Sequence, residues 1–114
     1  MKKNIFYGII KLAIGSSSKN AKFILQKTGL GDYFDAVSDG TNISRSKPDP
    51  EVFLKAAEML AVPARECLVV EDALSGVSAA LKASMEVATV GDAARHGCGT
   101  YVLNKFEDLK NVIQ

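Results

Sequence analysis

Residues Leu68 to Gly76 read LVVEDALSG, an apolar run that ends on two neighbouring carboxylates, Glu71 and Asp72. Adjacent like charges repel, and a carboxylate drawn towards a protein interior is costly unless it is paired or bound to a cation. Oxygen-rich side chains at the end of a buried strand suit a hard cation. Mg²⁺ usually takes only one or two protein carboxylates and completes its shell with water and phosphate. The same acids also suit the start of a helix near Ser75, where negative charge favours the helix dipole. A second polar stretch, GSSSKN (Gly15 to Asn20), follows a β-branched run. A strand-to-helix turn there offers backbone N–H groups and hydroxyls to a phosphate, with Ser16 nearest the strand end; a solvated loop with a serine cap is the alternative. The third stretch is SRSKPDPE, Ser44 to Glu51. Pro48 restrains the backbone at Lys47. A lysine is a point cation that suits spread phosphate charge, although a lone lysine is more often simply solvated.

The elements that must position these groups follow from pattern. Ile9–Ile14 is apolar apart from Lys11 and reads as a buried strand. Lys19 to Thr28 reads as a short helix stopped by Gly29 and Gly31, and Phe34 to Ser38 as a brief strand. Asp39 to Lys47 is a polar loop. Asp49 is a good N-cap with Pro50 at the first helical position, and Val52, Phe53, Ala56, Ala57 and Leu60 recur at helical spacing up to Pro63. Leu68 to Val70 predicts a strand buried on both faces. Ser75 to Ala83 reads as a helix, Val87 to Val90 as a strand closed by Gly91, and Tyr101 to Leu103 as a last strand. Asn104 with Glu107 resembles a capping box ahead of a helix whose stripe is Phe106, Leu109, Val112 and Ile113. The alternation predicts an α/β fold, a Rossmann-like parallel sheet with helices on both faces. Such sheets bind ligands at the carboxyl ends of their strands, where Ser16–Ser18 and Glu71–Asp72 fall.

Bulk properties narrow the function classes. A chain of 114 residues, 47% hydrophobic and 24% charged, is sized for one domain over residues 1–114. A net charge of +1, with no basic stripe, disfavours nucleic acid as a partner. No run approaches a membrane span. The opening MKKNIFYGII is similar to the start of a signal peptide, but Gly8 and Lys11 interrupt it and no cleavage site closes it. Cys67 and Cys98 have neither metal-ligand spacing nor a disulfide framework, which predicts free thiols and a cytoplasmic setting. His96, in ARHGCG, has no evident acid–base partner and reads as loop packing.

Taken together, the hydroxyls, the lysine and the acid pair, in that order along an α/β chain, resemble the haloacid dehalogenase-like hydrolase superfamily, especially its β-phosphoglucomutase-like branch. IKLAIGSSSKN resembles that family's second motif, SKPDPEVF its third and LVVEDALSGV its fourth. The resemblance runs from Ile9 to about Val90 and implies a phosphotransferase acting on a phosphorylated small molecule such as a sugar phosphate. It implies that Ser16 binds the transferring phosphoryl group and that Lys47 stabilises that group and the nucleophile. It also implies that Ser17, Ser18, Lys19 and Asn20 line the same pocket, and that Glu71 and Asp72 hold Mg²⁺, Asp72 more directly.

One departure matters. The family's nucleophile is the first aspartate of an Asp-x-Asp motif ending the first strand, and these 114 residues contain no Asp-x-Asp. The helical cap domain expected between the first and second motifs is also missing. The sequence therefore predicts an incomplete haloacid dehalogenase-like core, the C-terminal portion of such a protein, inactive alone and weak in Mg²⁺ binding. The alternative is a non-catalytic phosphate-binding or subunit module that pairs with a separate N-terminal chain. Loss of a central first strand should leave the strands ending at Ser16 and Glu71 with unpaired edges, open to each other, to a second copy or to another chain.

Overall fold

The computed structural model describes residues 10–113. Five short parallel strands alternate with helices. The chain runs through β1 (Ala13–Gly15), α1 (Ala21–Lys27), β2 (Ala36–Ser38), α2 (Glu51–Leu60) and β3 (Leu68–Glu71). It continues through α3 (Leu74–Lys82), β4 (Glu86–Thr89), α4 (Gly91–Arg95), β5 (Tyr101–Val102) and α5 (Lys110–Ile113). Of the predicted first strand, Ile9 lies outside the described residues.

The strands fall into two parallel sheets, β1–β2 and β3–β4–β5. Ala13, Ile14 and Gly15 face Ala36, Val37 and Ser38; Leu68 to Glu71 face Glu86 to Thr89. Among the described residues no ladder joins β1 to β3. Of the outcomes expected for two strands without their neighbour, direct pairing does not occur among the described residues, where β1 and β3 each keep one edge without a strand partner.

The core is one cluster in which Val52, Phe53 and Ala57 of α2 meet Val77, Ala79 and Ala80 of α3 and Val69 and Val87 of the larger sheet. Small alanines on α3 let the helix lie close to β3 and β4. Gly15 performs the same service for α2: a Cβ there would lie 2.7 Å from the Phe53 ring. Val69 is buried, but Val70 is 37% exposed, which corrects the expectation that β3 is covered on both faces. Successive side chains alternate across a strand. Val69 therefore turns into the α2–α3 core and Val70 turns to the opposite, thinly covered face.

Several boundaries shift for local reasons. Helix α2 begins at Glu51 rather than Pro50, and Asp49 still caps it, its Oδ1 accepting the Glu51 N–H at 3.0 Å. The capping box falls one residue later than predicted. Lys105 N–H donates to Asp108 Oδ2 at 3.3 Å, opening a 3₁₀ turn over Phe106–Leu109. Phe106, assigned to an apolar stripe, is exposed. Residues 91–95, where the sequence reads a strand-closing Gly91 and a loop from Ala94, form a helical turn because Gly91 takes a positive φ and Ala93 N–H donates to the Asp72 carbonyl at 3.0 Å. Cys67 and Cys98 are free thiols, and no described helix is long and apolar enough to cross a membrane.

Candidate functional site

Lys47 joins the two sheets. Its backbone N–H donates to Ser17 Oγ at 3.3 Å, just beyond the end of β1, and its ammonium donates to Glu71 Oε2 at 3.1 Å, at the end of β3. The carboxyl ends of β1 and β3 thus lie on either side of one lysine, as ligand-binding strand ends of a parallel sheet do. The pair is shielded: the Lys47 side chain is 16% exposed and that of Glu71 11%. The Lys47 ammonium also lies 4.9 Å from the centroid of the Phe53 ring, within cation–π range. Glu71 spends its other oxygen on the Ala73 N–H at 3.2 Å.

The serine loop is held from β2. Ser16 N–H donates to the Ser38 carbonyl and Gly40 N–H to the Ser18 carbonyl, both at 2.9 Å. Within the loop, Ser18 N–H donates to Ser16 Oγ at 3.1 Å and Asn20 N–H to Ser18 Oγ at 3.0 Å. These bonds bend the chain tightly and leave the amides of Ser17 and Lys19 without a partner among the described residues. Ser16 and Ser17 are half-buried; Ser18, Lys19 and Asn20 are exposed. Helix α1 starts only at Ala21, five residues after Ser16, so the hydroxyl nearest the strand end is not at a helix N-terminus. The contacts therefore gather Ser17, Lys47 and Glu71 directly. Ser16 is tied to them through the loop, and Asp72 is beside them in sequence, exposed, its carboxylate without a partner among the described residues.

Three contributors escaped sequence reading. Phe53, which recurs at helical spacing in α2, also borders the lysine with its ring. Gly76, within the helix expected over Ser75 to Ala83, has Glu71 leaning against it. Asp39, assigned to a polar loop, is fully buried. Asp39 Oδ1 accepts the Thr41 N–H at 2.9 Å and the Thr41 hydroxyl at 2.5 Å, and its own N–H donates to Asn42 Oδ1 at 2.7 Å. Its Oδ2 has no hydrogen-bond partner among the described residues. The aspartate braces the turn whose flanks, Ser38 and Gly40, hold the serine loop. An isolated Asp in a polar stretch gives no sign of burial; a β-strand ending immediately before it is the only cue.

Two carboxyl groups in this region are held below their ordinary range. Burial pushes Asp39 up, but the Thr41 hydroxyl, the Thr41 amide and the Lys22 charge outweigh it and bring it below its ordinary 3.8. Glu51 is lowered from 4.5 chiefly by the Arg45 N–H, against some burial, with the Ser44 N–H and hydroxyl adding to the effect. A folded state with depressed carboxyl values binds fewer protons than the unfolded chain. The stabilisation is therefore complete above the ordinary values and is lost as pH falls through the folded ones. Thermal unfolding should show a steady melting temperature from pH 7 to about 5 and a fall below about pH 4, and Asp39→Asn should flatten part of that fall. A melting temperature that rises between pH 5 and 3 contradicts the assignment.

A parallel α/β core in which a polar loop, a lysine and a glutamate meet at the strand ends has the architecture of the haloacid dehalogenase-like hydrolases. The family model of haloacid dehalogenase-like hydrolases matches residues 7–84, and the chain belongs to that family. Within it, the chain is 44% identical over 100 residues to β-phosphoglucomutase of Bacillus subtilis, covering 88% of this chain and 44% of that protein. It is 36% identical over 87 residues to fructose-1-phosphate phosphatase YqaB of Escherichia coli, covering 75% of this chain and 46% of that one. A crystal structure of β-phosphoglucomutase from Clostridium difficile superposes with a TM-score of 0.79 at 34% identity, over 90% of this chain and 48% of that chain. The chain spans less than half the length of these relatives.

Proposed function

We propose that this chain is the phosphate- and Mg²⁺-binding C-terminal portion of a β-phosphoglucomutase-like phosphotransferase or sugar-phosphate phosphatase, without turnover of its own. The observation that carries this reading is Lys47 standing between Ser17 and Glu71 at the joined strand ends. In this reading Ser16, Ser17, Ser18, Lys19 and Asn20 cradle the phosphoryl oxygens. The unpartnered Ser17 and Lys19 amides and the Ser16 hydroxyl are the donors, and Lys47 supplies the positive charge. The names of its relatives point to a phosphorylated sugar as the partner, and two free thiols suit a cytoplasmic setting.

The donor chemistry fits Mg²⁺. Asp72 offers an exposed carboxylate and Glu71 a second hard oxygen ligand, which meets the usual demand of one or two carboxylates. No larger group of His, Cys, Asp or Glu gathers among the described residues, so the set is minimal. When bound, the ion supplies positive charge to phosphoryl oxygens. Here Asp72 would hold it first, because Glu71 already serves Lys47 and the Ala73 N–H.

A second reading is favoured by the edges of β1 and β3 that have no strand partner among the described residues. In it the chain is a subunit module whose unpaired strands receive a strand from a separate N-terminal chain or from a second copy, because unpaired backbone groups seek partners. Both readings keep the phosphate pocket. The test is an NMR titration with inorganic phosphate, with and without Mg²⁺. Amide shifts confined to residues 16–20, 47 and 71–76, larger with Mg²⁺, are expected. No response there at tens of millimolar phosphate would overturn the pocket.

A further inference from the structure

Gly76 lies in the first turn of α3, and its flank is where the Glu71 side chain rests. A Cβ added to Gly76 would fall 2.0 Å from Glu71 Cδ and 2.2 Å from its Oε2, distances at which one of the two must move. Gly76 is buried and has no positive φ, so the backbone itself does not require glycine there. An alanine would be the better helix former. The missing side chain therefore serves the carboxylate. Glu71 comes to Lys47 from the helix side, with Oε2 on the ammonium and Oε1 on the Ala73 N–H. Both ends of the acid are thus occupied, and nearly all of it is shielded.

From this we infer that Gly76 is a positioning residue that seats Glu71 as the standing counter-ion of Lys47, so that anion capture at the serine loop has to open this pair first. Lys47 cannot give its full charge to a phosphate on the Ser17 side while Glu71 holds it. Two ligands competing for one ammonium weaken each other by the free energy of the contact they cannot share. The acid pair also differs in kind: Glu71 belongs to the lysine, and Asp72, exposed and without a partner among the described residues, stays available to a cation.

The pair can be read without any ligand, from the Glu71 side-chain carboxyl ¹³C shift and the slowed exchange of the Lys47 NH₃⁺ protons in the full chain. Gly76→Ala should move the first and abolish the second while far-UV circular dichroism is unchanged. Glu71→Asp, one methylene shorter, should make room for the new methyl group, so the double variant Gly76→Ala/Glu71→Asp should restore the slowed exchange. A helix-packing role alone would not be rescued this way. The competition, which rests on the phosphate reading above, is tested with inorganic phosphate in the absence of Mg²⁺. Gly76→Ala and Glu71→Gln should bind it about five- to tenfold more tightly than the native chain, and the double variant should return towards native affinity. An intact Lys47–Glu71 signature in Gly76→Ala, or no recovery in the double variant, overturns the seat. Loss of the pair signature in Gly76→Ala and its rescue in the double variant, with equal phosphate affinity in all variants, overturns the competition, whereas no phosphate binding in any of them overturns the pocket itself.

Discussion

Assayed alone with p-nitrophenyl phosphate, acetyl phosphate and a panel of sugar phosphates, the 114-residue chain is expected to give no Mg²⁺-dependent turnover. The family route forms a covalent bond between an aspartate and the phosphoryl group, and covalent catalysis has no substitute for a missing nucleophile. Removing a nucleophile from a covalent mechanism lowers rates by about four to six orders of magnitude, which takes a typical turnover below detection. None of the aspartates present has the required spacing. Of those near the site, Asp39 is buried and bonded to Thr41, and Asp72 follows β3 and is the carboxylate proposed for the cation. Adding a separately made N-terminal polypeptide that carries a strand ending in Asp-x-Asp should restore turnover if the open edges of β1 and β3 accept that strand. Turnover by the chain alone that is lost in Ser16→Ala or Lys47→Ala would show that these residues support chemistry by another route.

Lys47→Met is expected to destabilise the fold by about 3 kcal/mol, the usual consequence of leaving one member of a shielded ion pair without its partner. Methionine keeps most of the stem's volume but removes the ammonium from the Phe53 ring, and the isolated Glu71 charge is the larger loss. For a domain whose total stability is on the order of 5–15 kcal/mol, that is a large share, equivalent to a fall in melting temperature of roughly 10 °C or more. The double variant Lys47→Met/Glu71→Gln should recover most of the loss, because replacing both partners by neutral groups of similar shape leaves no buried charge. Chemical denaturation of the native chain, both single variants and the double variant completes the cycle. Additive losses would mean that the 3.1 Å contact contributes nothing beyond two separate surface charges.

Much of the fold was legible because its signals are local. β-branched runs, the Asp49–Pro50 helix start and the glycines after α1 act over a few residues. They placed Leu68–Glu71, Leu74–Lys82 and Glu86–Thr89 to within a residue or two. The chemistry-bearing types were legible too: hydroxyls, one lysine and an acid pair stood at predicted strand ends and loops, and the absence of Asp-x-Asp was plain from reading the chain. What sequence left open was who touches whom. Lys47 is 24 residues from Glu71 and 30 from Ser17, and no spacing rule spans such gaps. Only packing of α2 on β1 and of α3 on β3 determined that Glu71, rather than Asp72, takes the ammonium, and that Ser17, rather than Ser16, holds the Lys47 amide. The same holds for Gly15 and Gly76, whose need for no side chain appears only when Phe53 and Glu71 arrive against them. It holds for Val70 as well: an apolar run cannot reveal which of its faces will be covered, because burial belongs to the neighbours and not to the strand. By itself, then, the sequence determined the elements and the kind of chemistry, since both follow from short-range pattern and residue type. The tertiary structure decided the pairing within the site and the opening between the two sheets, since both depend on contacts made across the whole chain.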